Sequence, residues 1–255
     1  MNTYDLFKNF CATLVISLLA IAVSGQSIGI CMGFDHWGNK YQWSETELKK
    51  IDAVQGLSYR NGNLSYGKIS KLDWVQPQKP FAYFEETQRI VFLDNTLSEQ
   101  GEYISLQAIL PSSWITQVSG SVMGGFWCFD HLNLRLIKLD QRGNLLFSLD
   151  NLPHFNLLTD WDALGMVEHK NALYLWDHQN LFVFDLLGAL TQQISCPGAQ
   201  FLFDNGAIFQ CDQSQLSQIF PEQKKYSQPI PTAPFCISKN MIFVWNSNIE
   251  PIPLE

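Results

Sequence analysis

The chain has 255 residues, 46% of them hydrophobic, enough for one large domain with a real core or two small ones. Charged residues make up 16%, against a usual figure of about 25%, while aromatics reach 13% and Asn, Gln and Ser are abundant, a profile of β structure with many turns. A net charge of −8, with no basic run longer than two (Lys49-Lys50, Lys224-Lys225), speaks against nucleic acid and against anionic membrane surfaces as partners.

Residues 1–25 read as a secretory signal: Lys8 in a modest n-region, the apolar run CATLVISLLAIAV over 11–23, and Val23-Ser24-Gly25 before a cut at Gln26. The run is shorter than the roughly 18–20 residues needed to cross a bilayer, so cleavage is expected over retention as an anchor, with no stable membrane insertion afterwards. Cys31 follows a poor lipoprotein box, so the expected product is an exported protein, periplasmic or envelope-associated, with residues 26–255 as a single domain. Cys31, Cys128, Cys196, Cys211 and Cys236 remain, without CxxC or metal-type spacing, and read as small core residues. Cys196–Cys211 and Cys31–Cys236 are the pairs to test for a bridge.

The rest of the chain is a repeat. GICMGFDHWGNKYQWSETELKKIDAVQGLSYR at 29–60 offers a first strand, a Gly38-Asn39 turn, KYQWS, then ELKKID closing on Asp52. Residues 88–106 supply a third strand ending at Asp94 and a turn at Gly101; LQAIL then makes one helical turn that Pro111 ends. The most legible unit, 113–152, holds WITQVS, GFWCFD, LRLIKLD and LLFSL, with an Asp140-Gln-Arg-Gly143 turn before the last. The pattern returns at 171–195, closing on Asp185, in compressed form at 201–228, and at 235–254, which stops before a fourth strand. The third-strand residues Asp52, Asp94, Asp140 and Asp185 are spaced by 42, 46 and 45 residues. Four short strands per period of this length predict an all-β, six-bladed β-propeller of four-stranded antiparallel blades, five blades if the last two units merge. The segment after Gln26 is a candidate for the missing closing strand. A β-sandwich would instead show irregular strand spacing and no recurring Asp-x-x-Gly turn.

Three aromatic-Asp-His triplets, in GFDHWG (33–38), CFDHL (128–132) and LWDHQ (175–179), invite a metal or acid/base reading. Asp130-His131 and Asp177-His178 share one slot, the turn between second and third strands, which other blades fill with Ser44-Glu45, Asp212-Gln213 or Asn246-Ser247. Asp35-His36 lies out of phase, in the turn between first and second strands. The slot wants a turn-capping side chain, and histidine is incidental to it.

The first repeat, through Gly38-Asn39-Lys40-Tyr41 and Leu48-Lys49-Lys50-Ile51-Asp52, resembles an NHL-type blade. The runs PQKPFAYF and VFLDNTLS, with GGFWCFD and LRLIKLDQRGNLL, are similar to a group of exported propeller proteins of Bacteroidetes-type bacteria. The resemblance implies fold and compartment and carries no catalytic residues.

Propellers place function at the channel and its mouth. Asp35, Asp73, Gln117, Asp160, Asp162 and Ser238 stand near first strands and are the channel-lining candidates. Lactonase-like six-bladed enzymes hold a divalent cation there, so calcium in the channel of a metal-dependent hydrolase is the alternative to a chain with no cofactor. The blades repeat no carboxylate in one register, and no Gly-x-Ser-x-Gly, HExxH or phosphate loop occurs; His154 and His169 stand alone. Phe81, Tyr83 and Phe84 beside Glu85-Glu86 form an aromatic strand with an acidic tip, a candidate protein-binding segment whose plainer reading is a packed second strand. Trp43, Tyr83, Trp127, Tyr174, Trp176 and Trp245 offer sugar-stacking surfaces in a glycan-binding alternative, but their recurrence fits packing between blades. The expected function is a non-enzymatic protein-binding or scaffolding module whose partner is another envelope protein.

Overall fold

The computed structural model describes residues 31–35, 37–44, 47–62, 65–76, 78–150, 152, 163–169, 171–195, 200–204, 207–211, 216–220, 224–226, 235–238, 241–244 and 252–254. Six small antiparallel sheets form the six-bladed propeller, almost without helix. Blade 1 is β1 (Cys31–Phe34), β2 (Lys40–Trp43), β3 (Leu48–Ile51) and β4 (Ser58–Asn61); blade 2 is β5 (Lys71–Asp73), β6 (Phe81–Phe84), β7 (Arg89–Phe92) and β8 (Ile104–Ser105). Blade 3 is β9 (Ile115–Gly120), β10 (Phe126–Asp130), β11 (Arg135–Leu139) and β12 (Leu145–Leu149). Blade 4 is β13 (Gly165–His169), β14 (Ala172–Trp176), β15 (Asn180–Asp185) and β16 (Leu190–Ser195). Blade 5 is β17 (Gln200–Asp204), β18 (Ala207–Cys211), β19 (Leu216–Phe220) and β20 (Lys224–Tyr226); blade 6 has β21 (Phe235–Ser238), β22 (Met241–Val244) and β23 (Ile252–Pro253). Strands pair in chain order within each blade, and β1 lies beside β21, so the ring closes on itself. The expected signal and the proposed closing strand after Gln26 lie outside the described residues.

Each blade is too thin to bury its own apolar side chains, so the core is divided among the blade interfaces. In β10 the period of two sends Phe126 and Cys128 into the core shared with blade 2, and Trp127 and Phe129 into the core shared with blade 4. Equivalent cores lie between blades 1 and 2 (Tyr41, Leu72, Phe84), 4 and 5 (Tyr174, Val183, Ile208), and 5 and 6 (Phe209, Tyr226, Ile237). Cys128 and Cys211 are buried in these cores and Cys236 is buried on β21, as expected, Cys128 as a free thiol. Cys196 and the Cys31 side chain are outside the described residues. The one-turn helix α1 (Leu106–Ile109) follows β8, with the Ser105 hydroxyl accepting from the Ala108 N–H as N-cap.

The periodic aspartates owe their spacing to one local device. Asp140 O accepts from Gly143 N (3.1 Å) and Asp140 N donates to Asn144 O (2.9 Å), while Asp140 Oδ1 accepts from the N–H groups of Arg142 (2.7 Å) and Asn144 (2.9 Å). Asp185 and Asp94 repeat these bonds; Asp52 closes a turn one residue longer through the same backbone pair, with its Oδ1 accepting from Val54 N and Gln55 N instead of the closing residue. The residue before the last must take positive φ: Gly143 at 86° and Gly188 at 86°, but Leu97 at 69°. In blade 2 the tight turn is therefore Asp94–Ser98, and the expected turn at Gly101 comes after it.

Candidate functional site

Because each complete blade has four antiparallel strands, the first-to-second and third-to-fourth turns share one end of the ring, here the turn end. The second-to-third turns and the blade-to-blade links share the other. The channel runs between them, bounded by the innermost strands β1, β5, β9, β13, β17 and β21.

Of the sequence-predicted channel residues, the three whose side chains are described, Asp35, Asp73 and Gln117, are each engaged in separate hydrogen bonds. Asp35, 3% exposed, accepts from the N–H groups of Trp37 (3.0 Å) and Asn39 (2.9 Å), from Asn39 Nδ2 (2.8 Å) and from the Tyr41 hydroxyl (3.3 Å). It is the Asp140 turn again, placed between first and second strands. Burial, with Asp35 adding to it, raises the Tyr41 phenol well above its ordinary range. Asp73 is buried, its Oδ1 accepting from Val75 N (3.0 Å) and its Oδ2 from Gly120 N of blade 3 (2.9 Å). A Cβ on Gly120 would lie 2.6 Å from Asp73 Oδ1, so this clamp requires glycine. Gln117 Nε2 donates to Ala163 O of the following blade (3.0 Å). Ser238 falls on β21 and its side chain is not described; Asp160 and Asp162, like His36, His154 and Trp245, lie outside the described residues. Among the described residues no three His, Cys, Asp or Glu side chains come together in a way that would hold a metal ion.

Sequence reading missed one residue that, among those described, reaches the channel. Lys71 Nζ, from β5, donates to Val118 O of β9 (2.6 Å) and to Met166 O of β13. Both acceptors sit on innermost strands, which have a neighbour on one edge only, so a lysine satisfies carbonyls that the ladder leaves over. Burial lowers the pKa of the ammonium, and Asp73 opposes that shift. Lys71 thus ties blades 2, 3 and 4 together and brings its own cation into the channel.

A second buried polar group joins blades 3 and 4. Glu168 Oε1 accepts from Ser121 Oγ (3.0 Å) and Val122 N (3.0 Å), and its Oε2 accepts from Trp127 Nε1 (2.6 Å) and Lys138 Nζ (3.1 Å). The Lys138 ammonium also stands 4.5 Å from the Trp127 ring centroid. Burial lowers the Lys138 pKa, and Glu168 works against that shift. Asp73 on one side and Glu168 on the other therefore hold the blade 3 turn Ser121–Gly125. Its backbone closes through Gly124 N to Ser121 O (2.9 Å) and Ser121 N to Gly125 O (3.1 Å), and Gln76 Nε2 donates to Ser121 O (2.8 Å).

The predicted protein-binding segment needs correction. Phe81, Tyr83 and Phe84 are at most 3% exposed, because β6 is packed by blades on both faces. The Tyr83 hydroxyl donates to Ile115 O of blade 3 (2.6 Å), and Gln88 Nε2 bridges to both. Glu85 is half-buried, with its N–H on Ser70 Oγ, and Glu86 alone of the five stands exposed, at the tip of the following turn. Trp127 and Tyr174 are likewise buried between blades. Asp130 and Asp177 act as turn caps. The first accepts from Trp114 N, Asn133 N and Nδ2 and Arg135 Nε, the second from the N–H groups of Gln179 and Asn180.

No family model and no curated protein matches this chain. Solved structures do share its fold. Virginiamycin B lyase from Staphylococcus aureus superposes with a TM-score of 0.60 at 14% identity, over 91% of this chain and 86% of that one. The extracellular domain of a putative hybrid two-component system from B. thetaiotaomicron gives 0.55 at 11% identity, over 84% of this chain and 32% of that one. A protein of unknown function from Bacteroides caccae gives 0.50 at 9%, over 85% and 82%. At these identities the likeness is one of fold. Bacteroides proteins, one of them an extracellular domain, are thus among the structural neighbours, while the NHL-type resemblance rests on its motif residues alone.

Proposed function

We propose that the chain is an exported, envelope-associated β-propeller that works as a non-enzymatic protein-binding or scaffolding module. One observation carries this reading: four polar residues of the innermost strands are engaged in holding blades together. Asp73, Gln117, Glu168 and Lys71 each bond to a neighbouring blade, most across 46 or 47 residues, the length of one repeat. A carboxylate with two backbone N–H donors and a lysine on two carbonyls are arrangements for rigidity, and a rigid ring is a platform for binding. The extracellular neighbour and the signal-like N-terminus support the exported setting.

The metal-dependent alternative would have to seat a divalent cation beside the Lys71 ammonium, at an electrostatic cost. Among the described residues no helix is long and apolar enough to cross a membrane. The test is affinity purification of the tagged full chain from cross-linked envelopes of the producing cells. Specific enrichment of an envelope protein is expected. A clean monomer with no enriched partner overturns the reading, as does stoichiometric calcium or zinc on the purified protein with a thermal shift on adding EDTA.

A further inference from the structure

The turn end of the ring carries large apolar side chains where turns ordinarily carry polar ones. Val54 is 91% exposed, Met123 81% and Leu187 82%, each at the tip of a turn opened by Asp or Ser, and Trp37 and Val122 stand half out beside them. Three features make these more than scattered surface apolars. First, the blade 3 tip is held rigid from both sides: the Val122 N–H is bound by Glu168, the Met123 N–H by Ser121 Oγ, and the Gly120 N–H by Asp73. A tip fixed by buried carboxylates of two neighbouring blades loses little entropy on binding. Second, the tips of blades 3 and 4 lie against the same blade. The blade 3 turns meet where Gln141 stands beside Gly124, and Gly188, next to Leu187, lies against Phe147 of β12. Third, the tips alternate with carboxylates. Asp52 and Asp185 precede Val54 and Leu187 by two residues, and Asp140 stands on the turn next to Met123. The hydrogen bonds from its own turn keep Asp140 below the ordinary carboxylate range, and those from Gln55 and Val54 do the same for Asp52.

We infer that the turn end is a docking surface for a protein that offers apolar sockets rimmed by Lys and Arg, with the Val122–Met123 tip and Leu187 as the anchors. This rests on the proposed binding function and names its face. Charge complementarity selects the occupant: the net charge of −8, with Asp185 beside Leu187 and Asp140 beside Met123, the latter partly offset by Arg142 on the same turn, repels an anionic lipid surface and a second copy of this acidic chain, and attracts a cationic rim.

The test places a photo-crosslinking amino acid in the full chain at position 123 or 187, with Leu132, 67% exposed in a second-to-third turn at the other end, as control. Envelope fractions are irradiated, and the captured protein is identified, purified and bound to the wild-type chain at low and high salt. One common adduct from positions 123 and 187, absent from 132, is expected. Binding of the purified partner should weaken several-fold as salt rises. Met123→Ser combined with Leu187→Ser should weaken it roughly tenfold or more while leaving the melting temperature unchanged. Adduct at 132 alone, unchanged binding of the double variant, self-adducts, or co-sedimentation with phosphatidylcholine vesicles overturns the inference. If the wild-type chain enriches a partner that the double variant binds equally well, the face is wrong and the binding function stands. If neither enriches one, both fall.

Discussion

Replacing Glu168 by Gln probes whether the blade 3–4 junction is held by charge. The side chain is fully buried, and Lys138, its ion-pair partner at 3.1 Å, is 11% exposed. Gln can still accept from Ser121 Oγ and Val122 N through its carbonyl. Its amide then points hydrogens at Trp127 Nε1 and Lys138 Nζ, two donors that stood at 2.6 and 3.1 Å from a carboxylate oxygen. Removing one partner leaves a buried ammonium without its counter-charge, a loss of about 3–5 kcal/mol. At roughly 2–4 °C per kcal/mol for a chain of this size, the melting temperature should fall by about 6–20 °C. Adding Lys138→Met removes the stranded charge and keeps the packing on Trp127, so the double variant should recover a good part of the loss, with a coupling of about 1–3 kcal/mol. Thermal or urea unfolding measures both. In native-state hydrogen exchange the amide of Val122 should lose protection in the single variant before the strands do. A fall below about 2 °C, or a double variant equal to the sum of the singles, would refute the view that this ion pair fastens the turn.

Gly125→Ala, at φ 72° with its new Cβ 2.0 Å from Leu139 O, should cost at least about 2 kcal/mol in urea unfolding, more than Gly124→Ala, whose Cβ meets only the end of Gln141 at 3.4 Å. Leu97→Gly relieves about 1 kcal/mol of left-handed strain but empties a site 1% exposed, a loss of about 2–5 kcal/mol, so it should destabilise despite placing glycine where the other turns have it. Lys71→Met leaves Val118 O and Met166 O without their donor, and a melting temperature equal to wild type would refute the role given to this ammonium. The turn hydrogen bonds hold Asp52 and Asp140 below the ordinary carboxylate range. At Asp94 and Asp130 burial pushes upward but the bonds, from Thr96 and Ser98 and from Asn133 and Arg135, outweigh it. Each depressed group adds stability that is present above the unfolded-state pKa and lost as pH falls through the folded one. Stability should therefore be level above about pH 5 and decline below about pH 4, and Asp130→Asn should flatten that decline.

Fold was legible because its signal is local. An aspartate that caps its own turn must sit beside the positive-φ residue of that turn, and the first four blades repeat the demand along the chain, with glycine at that residue in three and Leu97 in the second. The Asp-His triplets also resolved largely locally, since Asp35 and Asp177 bond within their own turns or flanks and Asp130 bonds its own turn and, beyond it, Trp114 N before the first strand of the same blade. Lys71 could not be read this way. Its acceptors are backbone carbonyls 47 and 95 residues away, and a carbonyl leaves no mark in a sequence. Phe81, Tyr83 and Phe84 admitted two readings, of which the plainer, a packed second strand, agrees with their burial, because dense aromatics look alike in a binding surface and in a strand buried on both faces. The number of neighbouring blades decides between the two, and that is a property of the ring.

The same difference explains where binding chemistry sits in this molecule. A residue facing a neighbouring blade is committed twice, to its own strand and to the blade beside it, as Asp73 is to Val75 N and Gly120 N. Such a side chain is not available to a ligand without loosening the junction. The side chains at the turn tips carry no such commitment, because the capping aspartate and the positive-φ residue already satisfy the turn. At those positions Val54, Met123 and Leu187 contribute nothing visible to the blade, and exposing each to water forgoes roughly 1.5–3 kcal/mol of burial that an interface would recover. Stability and recognition are thus divided between inward and outward positions of the same turns, which is why tip substitutions should leave the melting temperature in place and change binding, while Glu168→Gln should first do the reverse.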